Sequence, residues 1–127
     1  MHLRRRGYQG YYDHGLGTVD VCNNGDAGDP RRTLLHELGH AWAYTHLTDD
    51  QVAAWTTHRG LTAWTSDTLP WWQMSKEHAA EIIAWGLQDD DEYQSIWLHL
   101  EECEDLAATF ELLTRTPPLH TNTHYCK

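Results

Sequence analysis

Apolar positions recur at helical spacing through most of this chain, and strict alternation is confined to one short stretch. Thr18-Val19-Asp20-Val21 carries β-branched residues at alternating positions and predicts a strand. The cluster Asn23 to Gly28 predicts a turn. Asp29-Pro30 then opens a helix, with Asp as N-cap and Pro preorganised at the first helical position. That helix is expected to run from about Pro30 to Thr45, with Leu34, Leu35, Leu38, Ala41 and Trp42 as its apolar side. Thr48 caps a second helix with Asp49 and Asp50 in its first turn, and Gly60 stops it.

Leu61 to Met74 reads as an irregular, aromatic-rich connection. A third helix, about Lys76 to Leu87, is expected behind a Ser75 cap, followed by an acidic loop at Asp89 to Glu92. A last helix, about Trp97 to Thr114, places Leu100, Cys103, Leu106, Ala107, Phe110 and Leu113 on one stripe. Pro117-Pro118 ends it. The pattern predicts an α+β domain, mainly helical with a small sheet. Residues 1–14 are expected to be a polar, aromatic arm, 15–116 the domain and 117–127 a polar tail.

A chain of 127 residues can bury roughly two thirds of its unfolded surface in one core. Nine Lys and Arg against 19 Asp and Glu give a net charge of -10. Such a surface repels phosphate backbones, so nucleic acid is not an expected partner. The arginines near the N-terminus are followed by no apolar run, so no signal peptide is expected, and no stretch approaches the ~20 apolar residues that span a membrane. Three cysteines at wide spacing, Cys22, Cys103 and Cys126, read as reduced thiols in a cytoplasmic protein, with one bridge still open to them.

The chemistry lies in His36-Glu37-Leu38-Gly39-His40. Imidazoles four residues apart on a helix share one face and can reach a single ion, and neutral imidazole is a good zinc ligand. Glu37, beside the first ligand, can reach a water at the metal and act as general base, then return the proton to the leaving amine. Gly39 is a poor helix former, so its presence suggests a close approach to the backbone.

A catalytic zinc takes three protein ligands. Glu77 and Glu81, one turn apart in Lys76-Glu77-His78-Ala79-Ala80-Glu81, are candidates, with Ala80 and Ala84 small enough for close helix packing. His46 competes, because the run from His36 has the metzincin spacing HExxHxxGxxH. Ala43, however, stands at the glycine position of that pattern and favours continuing the helix. Met74 reads as packing.

The HELGH helix with a downstream Glu-x-x-Ala-Glu helix resembles the gluzincin metallopeptidases. More narrowly, it resembles small metallopeptidase-like proteins of bacteriophages and actinobacteria. The match covers Leu34 to Trp42 and Glu77 to Leu87. The resemblance implies a minimal zincin-like domain that hydrolyses peptide bonds with Zn2+ held by His36, His40 and Glu77. It also implies that Glu37 is the base, that Glu81 supports a ligand histidine, and that the strand Thr18 to Val21 offers an edge to a peptide or protein substrate. Trp64, Trp71 and Trp72 are candidates for a hydrophobic cleft, Trp42 and Trp85 for the core. Tyr44, Tyr93 and His99 are candidates for an oxyanion partner. Cys22 lacks the surroundings of a deformylase ligand, and His120, His124 and Cys126 read as part of a flexible end. The rival readings are a hydrolase of some other amide, a zinc-binding module without catalysis, and a purely structural helical protein.

Overall fold

The computed structural model describes residues 10–21, 30–88, 101–119 and 126–127. Strand β1 (Gly10–Asp13) and strand β2 (Thr18–Val21) form an antiparallel hairpin, with Gly10 opposite Val21 and Asp13 opposite Thr18. Helices α1 (Pro30–His46), α2 (Asp49–His58), α3 (Ser75–Leu87) and α4 (Cys103–Thr114) follow. The coarse expectation of an α+β, mainly helical chain holds among the described residues. Asp29, Asn23 to Gly28, Asp89 to Glu92 and the expected helix start at Trp97 lie outside them, and the described helix α4 begins at Cys103.

The expected N-terminal arm needs correction, because its last residues are a strand. The Asp13 carboxylate accepts from the main-chain N–H groups of Gly15 and Leu16 at 2.9 and 3.1 Å. Gly17 donates to the Asp13 carbonyl at 2.8 Å and takes φ +67°, where a side chain is strained. This closed turn folds β1 onto β2. The sequence Asp13-His14-Gly15-Leu16-Gly17 carried that signal.

Helix α3 is the centre of the molecule. Ala79, Ala80, Ile82, Ala84 and Trp85 are fully buried, and Trp55 of α2 and Leu106, Phe110 and Leu113 of α4 complete the core. Helix α1 packs on the side of α3 that carries Ala80, and the hairpin lies on α1. The start of α3 differs from expectation. Met74 is its N-cap and no side chain caps it. The N–H groups of Ser75 and Lys76 donate instead to the carbonyls of Ala63 and Trp64 at 2.9 and 3.2 Å. First-turn amides need outside acceptors, and here the returning connection supplies them. Ser75 is buried, with its hydroxyl 2.6 Å from that of Thr56. Thr48 and Gln51 form the expected capping box on α2, and Gly60 follows α2 at φ +70°.

Two further expectations are overturned. Leu34 and Leu38, placed on the apolar side of α1, are 41% and 42% exposed, whereas Thr33, Glu37 and Ala43 are buried. Leu35 and Trp42 of the expected apolar side do pack against the core, so only Leu34 and Leu38 depart from it and the covered face is shared with Thr33, Glu37 and Ala43. Cys103 and Cys126, read as reduced thiols, are joined in a disulfide. The end of the chain is held beside α4, where Cys103 N–H donates to the Lys127 carbonyl at 3.0 Å and Lys127 N–H to Glu101 at 2.8 Å. That return brings the two thiols together despite a separation of 23 residues.

At the crossing of α1 and α3, a Cβ on Gly39 would lie 2.9 Å from both Cα and the carbonyl oxygen of Ala80. Neither backbone can yield without separating the helices. Gly39→Ala is therefore expected to destabilise the fold by about 1–3 kcal/mol despite alanine's higher helix propensity. Denaturant unfolding of the two proteins measures it, and equal midpoints would remove the close-approach argument.

Candidate metal centre

Helix α1 presents His36 and His40 on one face, and α3 brings Glu77 opposite them. Glu77 Oε1 lies 2.9 Å from His36 Nε2 and 3.0 Å from His40 Nε2, and the two Nε2 atoms are 3.1 Å apart. These three residues form a group able to hold a metal ion. Bonds of ~2.0–2.1 Å in a tetrahedron put ligand atoms ~3.3 Å apart. The observed triangle is close to that size, and two imidazole nitrogens with one carboxylate oxygen suit a borderline divalent cation.

Glu81 stands behind the triangle. Its Oε2 is 2.8 Å from His36 Nδ1, and Arg32 lies 3.4 Å from its other oxygen. With its Nδ1–H donated to that carboxylate, His36 is oriented so that Nε2 faces the triangle. Glu81 is 1% exposed, and a carboxylate so deep is held by these partners. The structure thus brings Glu77 to both histidines and Glu81 to His36. Arg32, one helical turn before His36, went unread in the sequence, although the same i, i+4 spacing that links His36 to His40 also links Arg32 to His36.

Burial opposes a charge on His36, but the carboxylates of Glu77 and Glu81 outweigh it and hold the ring's pKa up at about 10. Burial likewise opposes charge on Glu77, yet both imidazoles favour its ionised form and push its pKa well below the usual carboxylate range. Any ion entering this site at neutral pH competes with a proton.

His46 stays apart. Helix α1 runs unbroken through Ala43, and His46 stacks on Trp42 at 4.9 Å with Nδ1 3.0 Å from the Trp42 carbonyl. The metzincin arrangement is absent among the described residues. Tyr93, His99, Cys22, His120 and His124 lie outside those residues.

A cleft of about 720 Å3 takes in the triangle and is lined further by Gly10, Tyr12, Tyr44, Trp64, Trp71 and Lys76. Two of the three connecting tryptophans therefore reach the cleft, while Trp72 is not in its lining. The strand that borders it is β1 rather than β2, which corrects the expectation that Thr18 to Val21 would do so. The Glu37 side chain points into the same space and is 8% exposed.

Comparison with family models, with curated proteins and with solved structures finds no match to this chain. The site is therefore read from its own geometry.

Burial raises the pKa of Glu37, and the neighbouring His40 and His36 only partly offset that. A raised folded-state value means that ionising this carboxyl costs stability. The cost is absent below the ordinary value of 4.5 and complete once the pH has passed the raised one. In metal-free protein, Glu37→Gln is expected to raise the melting temperature at pH 7 and to lose that advantage near pH 4. Thermal unfolding in chelator across this range reads it out; a pH-independent difference would contradict the burial argument.

Proposed function

We propose that this chain is a zinc-dependent hydrolase that cleaves peptide bonds, a metallopeptidase of the gluzincin kind in a minimal zincin-like domain. The observation that carries the reading is the convergence of His36 Nε2, His40 Nε2 and Glu77 Oε1 within about 3 Å of one another. Glu37 lines the same cleft, and no residue other than these is needed to account for a one-metal hydrolytic site.

The donor set of two imidazoles and one carboxylate leaves a position open, as a catalytic zinc requires. Zinc held there supplies a Lewis acid that polarises a carbonyl and makes water nucleophilic near neutral pH. The chain's own residues do the rest. Glu37 takes a proton from the attacking water on its carboxylate and delivers it to the leaving nitrogen, which keeps the proton balance closed. Its raised pKa suits it to that exchange, because a base poised nearer neutrality also serves as an acid. Glu81 keeps the His36 ring in the tautomer that leaves Nε2 free to bind. Trp64 and Trp71 give the cleft an apolar wall for a substrate side chain. Tyr44, on the same face of α1 one turn past His40, is the described candidate for an oxyanion partner.

No helix among the described residues is long and apolar enough to cross a membrane. Sparse cysteines favour a cytoplasmic protein, whereas the Cys103–Cys126 bridge favours an oxidising compartment.

Two substitutions separate the ligand from its support. Glu77→Ala is expected to strip zinc from the purified protein, whereas Glu81→Ala should weaken binding about ten- to hundredfold. His46→Ala should leave zinc content unchanged; loss of the metal in that variant would restore the metzincin reading. For catalysis, Glu37→Gln is expected to keep stoichiometric zinc while peptide turnover falls about 10²–10⁴-fold. Zinc-replete wild type with no turnover on any peptide would favour a zinc-binding module instead.

A further inference from the structure

Strand β1 lies directly on the glutamate that the hydrolase reading makes the base. A Cβ built on Gly10 would stand 2.5 Å from Thr33 Cγ2, 3.0 Å from Glu37 Cγ and 3.1 Å from the Asp20 carbonyl oxygen. No side chain fits there, so the absence of one lets the strand backbone touch α1. Two residues on, the Tyr12 main-chain N–H donates to the Glu37 carboxylate. Gly10 and Tyr12 of β1 thus both meet Glu37, one by close backbone approach and the other by its main-chain N–H. The turn that closes the hairpin is independently anchored by Asp13. Glu37 is therefore gripped between its own helix and an edge strand. A carboxylate has two oxygens to share among partners, and Glu37 lines the cleft that β1 also borders.

We propose that β1 is a positioning element for Glu37: glycine at position 10 lets the strand lie on the glutamate, and the main chain at Tyr12 fixes the carboxylate in its working orientation. The proposal rests on the hydrolase reading for its catalytic consequence, but the strand–glutamate contact can be tested without it. Helix α1 alone leaves the long Glu37 side chain with several rotamers, whereas a base must be held within hydrogen-bond reach of the proton it takes. A rigid main-chain donor from a separate element supplies that restraint with no side-chain entropy lost on the donor's side, though Glu37 itself gives up rotamer freedom.

The test is amide hydrogen exchange by NMR on the full chain, combined with turnover of fluorescein-labelled casein by the zinc-loaded protein. Gly10→Ala should speed exchange of the Tyr12 amide about tenfold, the loss of one hydrogen bond. The Gly17 amide, bonded to Asp13 at 2.8 Å, should stay protected because the hairpin itself persists. In the same variant kcat should fall with KM and zinc content unchanged. Removing the clashing methyl in Gly10→Ala/Thr33→Ser should return both readouts toward wild type. Should Gly10→Ala not fold, Glu37→Ala gives the same amide test from the other side of the contact. Unchanged Tyr12 exchange in these variants, or Tyr12 and Gly17 lost together, overturns the proposal. A zinc-loaded wild type inert toward casein, with the exchange pattern as expected, would count against the hydrolase reading and for the contact.

Discussion

Helices α1 and α3 meet backbone to backbone at Gly39 and Ala80, and that approach determines whether the two halves of the site can touch. A side chain at position 39 would strike the Ala80 main chain. Separating the helices by even the width of a methyl group would carry Glu77 out of reach of His36 and His40. The ~1 kcal/mol that glycine forfeits inside a helix is thus the condition for a group in which three ligand atoms lie about 3 Å apart. Ala80 plays the complementary part on α3, since its main chain is what a side chain at position 39 would meet. The core on the far side of α3, built by Trp85, Leu106 and Phe110, then holds that helix in place.

The cluster is costly without a cation. Glu77 and Glu81 bring two carboxylates into a largely buried site, compensated by Arg32 and by a proton on His36. Removing one partner from such an arrangement strands the other, which is why buried ionic clusters are retained as complete sets. An ion that replaces the proton would satisfy both ring nitrogens and Glu77 together. Marginal native stability makes this coupling matter, since a tightly bound metal adds to the folding free energy.

Much of this was legible in the residues. His36 and His40 on one helix, and Glu77 and Glu81 on another, obey helical spacing, although the side-chain cap expected at Ser75 is absent. The fourfold spacing carries the geometry within each helix, and Gly39 and Ala80 together announce the contact between them. What could not be read depends on the chain returning on itself. Gly10 to Asp13 reads as part of an arm, because Gly-Tyr-Tyr-Asp lacks the alternation of Thr18 to Val21 and its partner comes only after the turn. The covered face of α1 mixes Thr33 and Glu37 with Leu35, Trp42 and Ala43, so the exposure of Leu34 and Leu38 could not be read from apolar spacing alone. The Cys103–Cys126 bridge joins positions whose proximity is set by main-chain contacts at Glu101 and Lys127, which no local pattern encodes.

X-ray absorption spectroscopy on the protein purified without added metal tests the central claim most directly. The account predicts one zinc per chain with nitrogen and oxygen ligands at ~2.0–2.1 Å, an outer-shell signature of two imidazoles, and no sulfur. A protein that carries no stoichiometric metal and takes up none on titration, or a zinc bound by thiolate at ~2.3 Å, would contradict it.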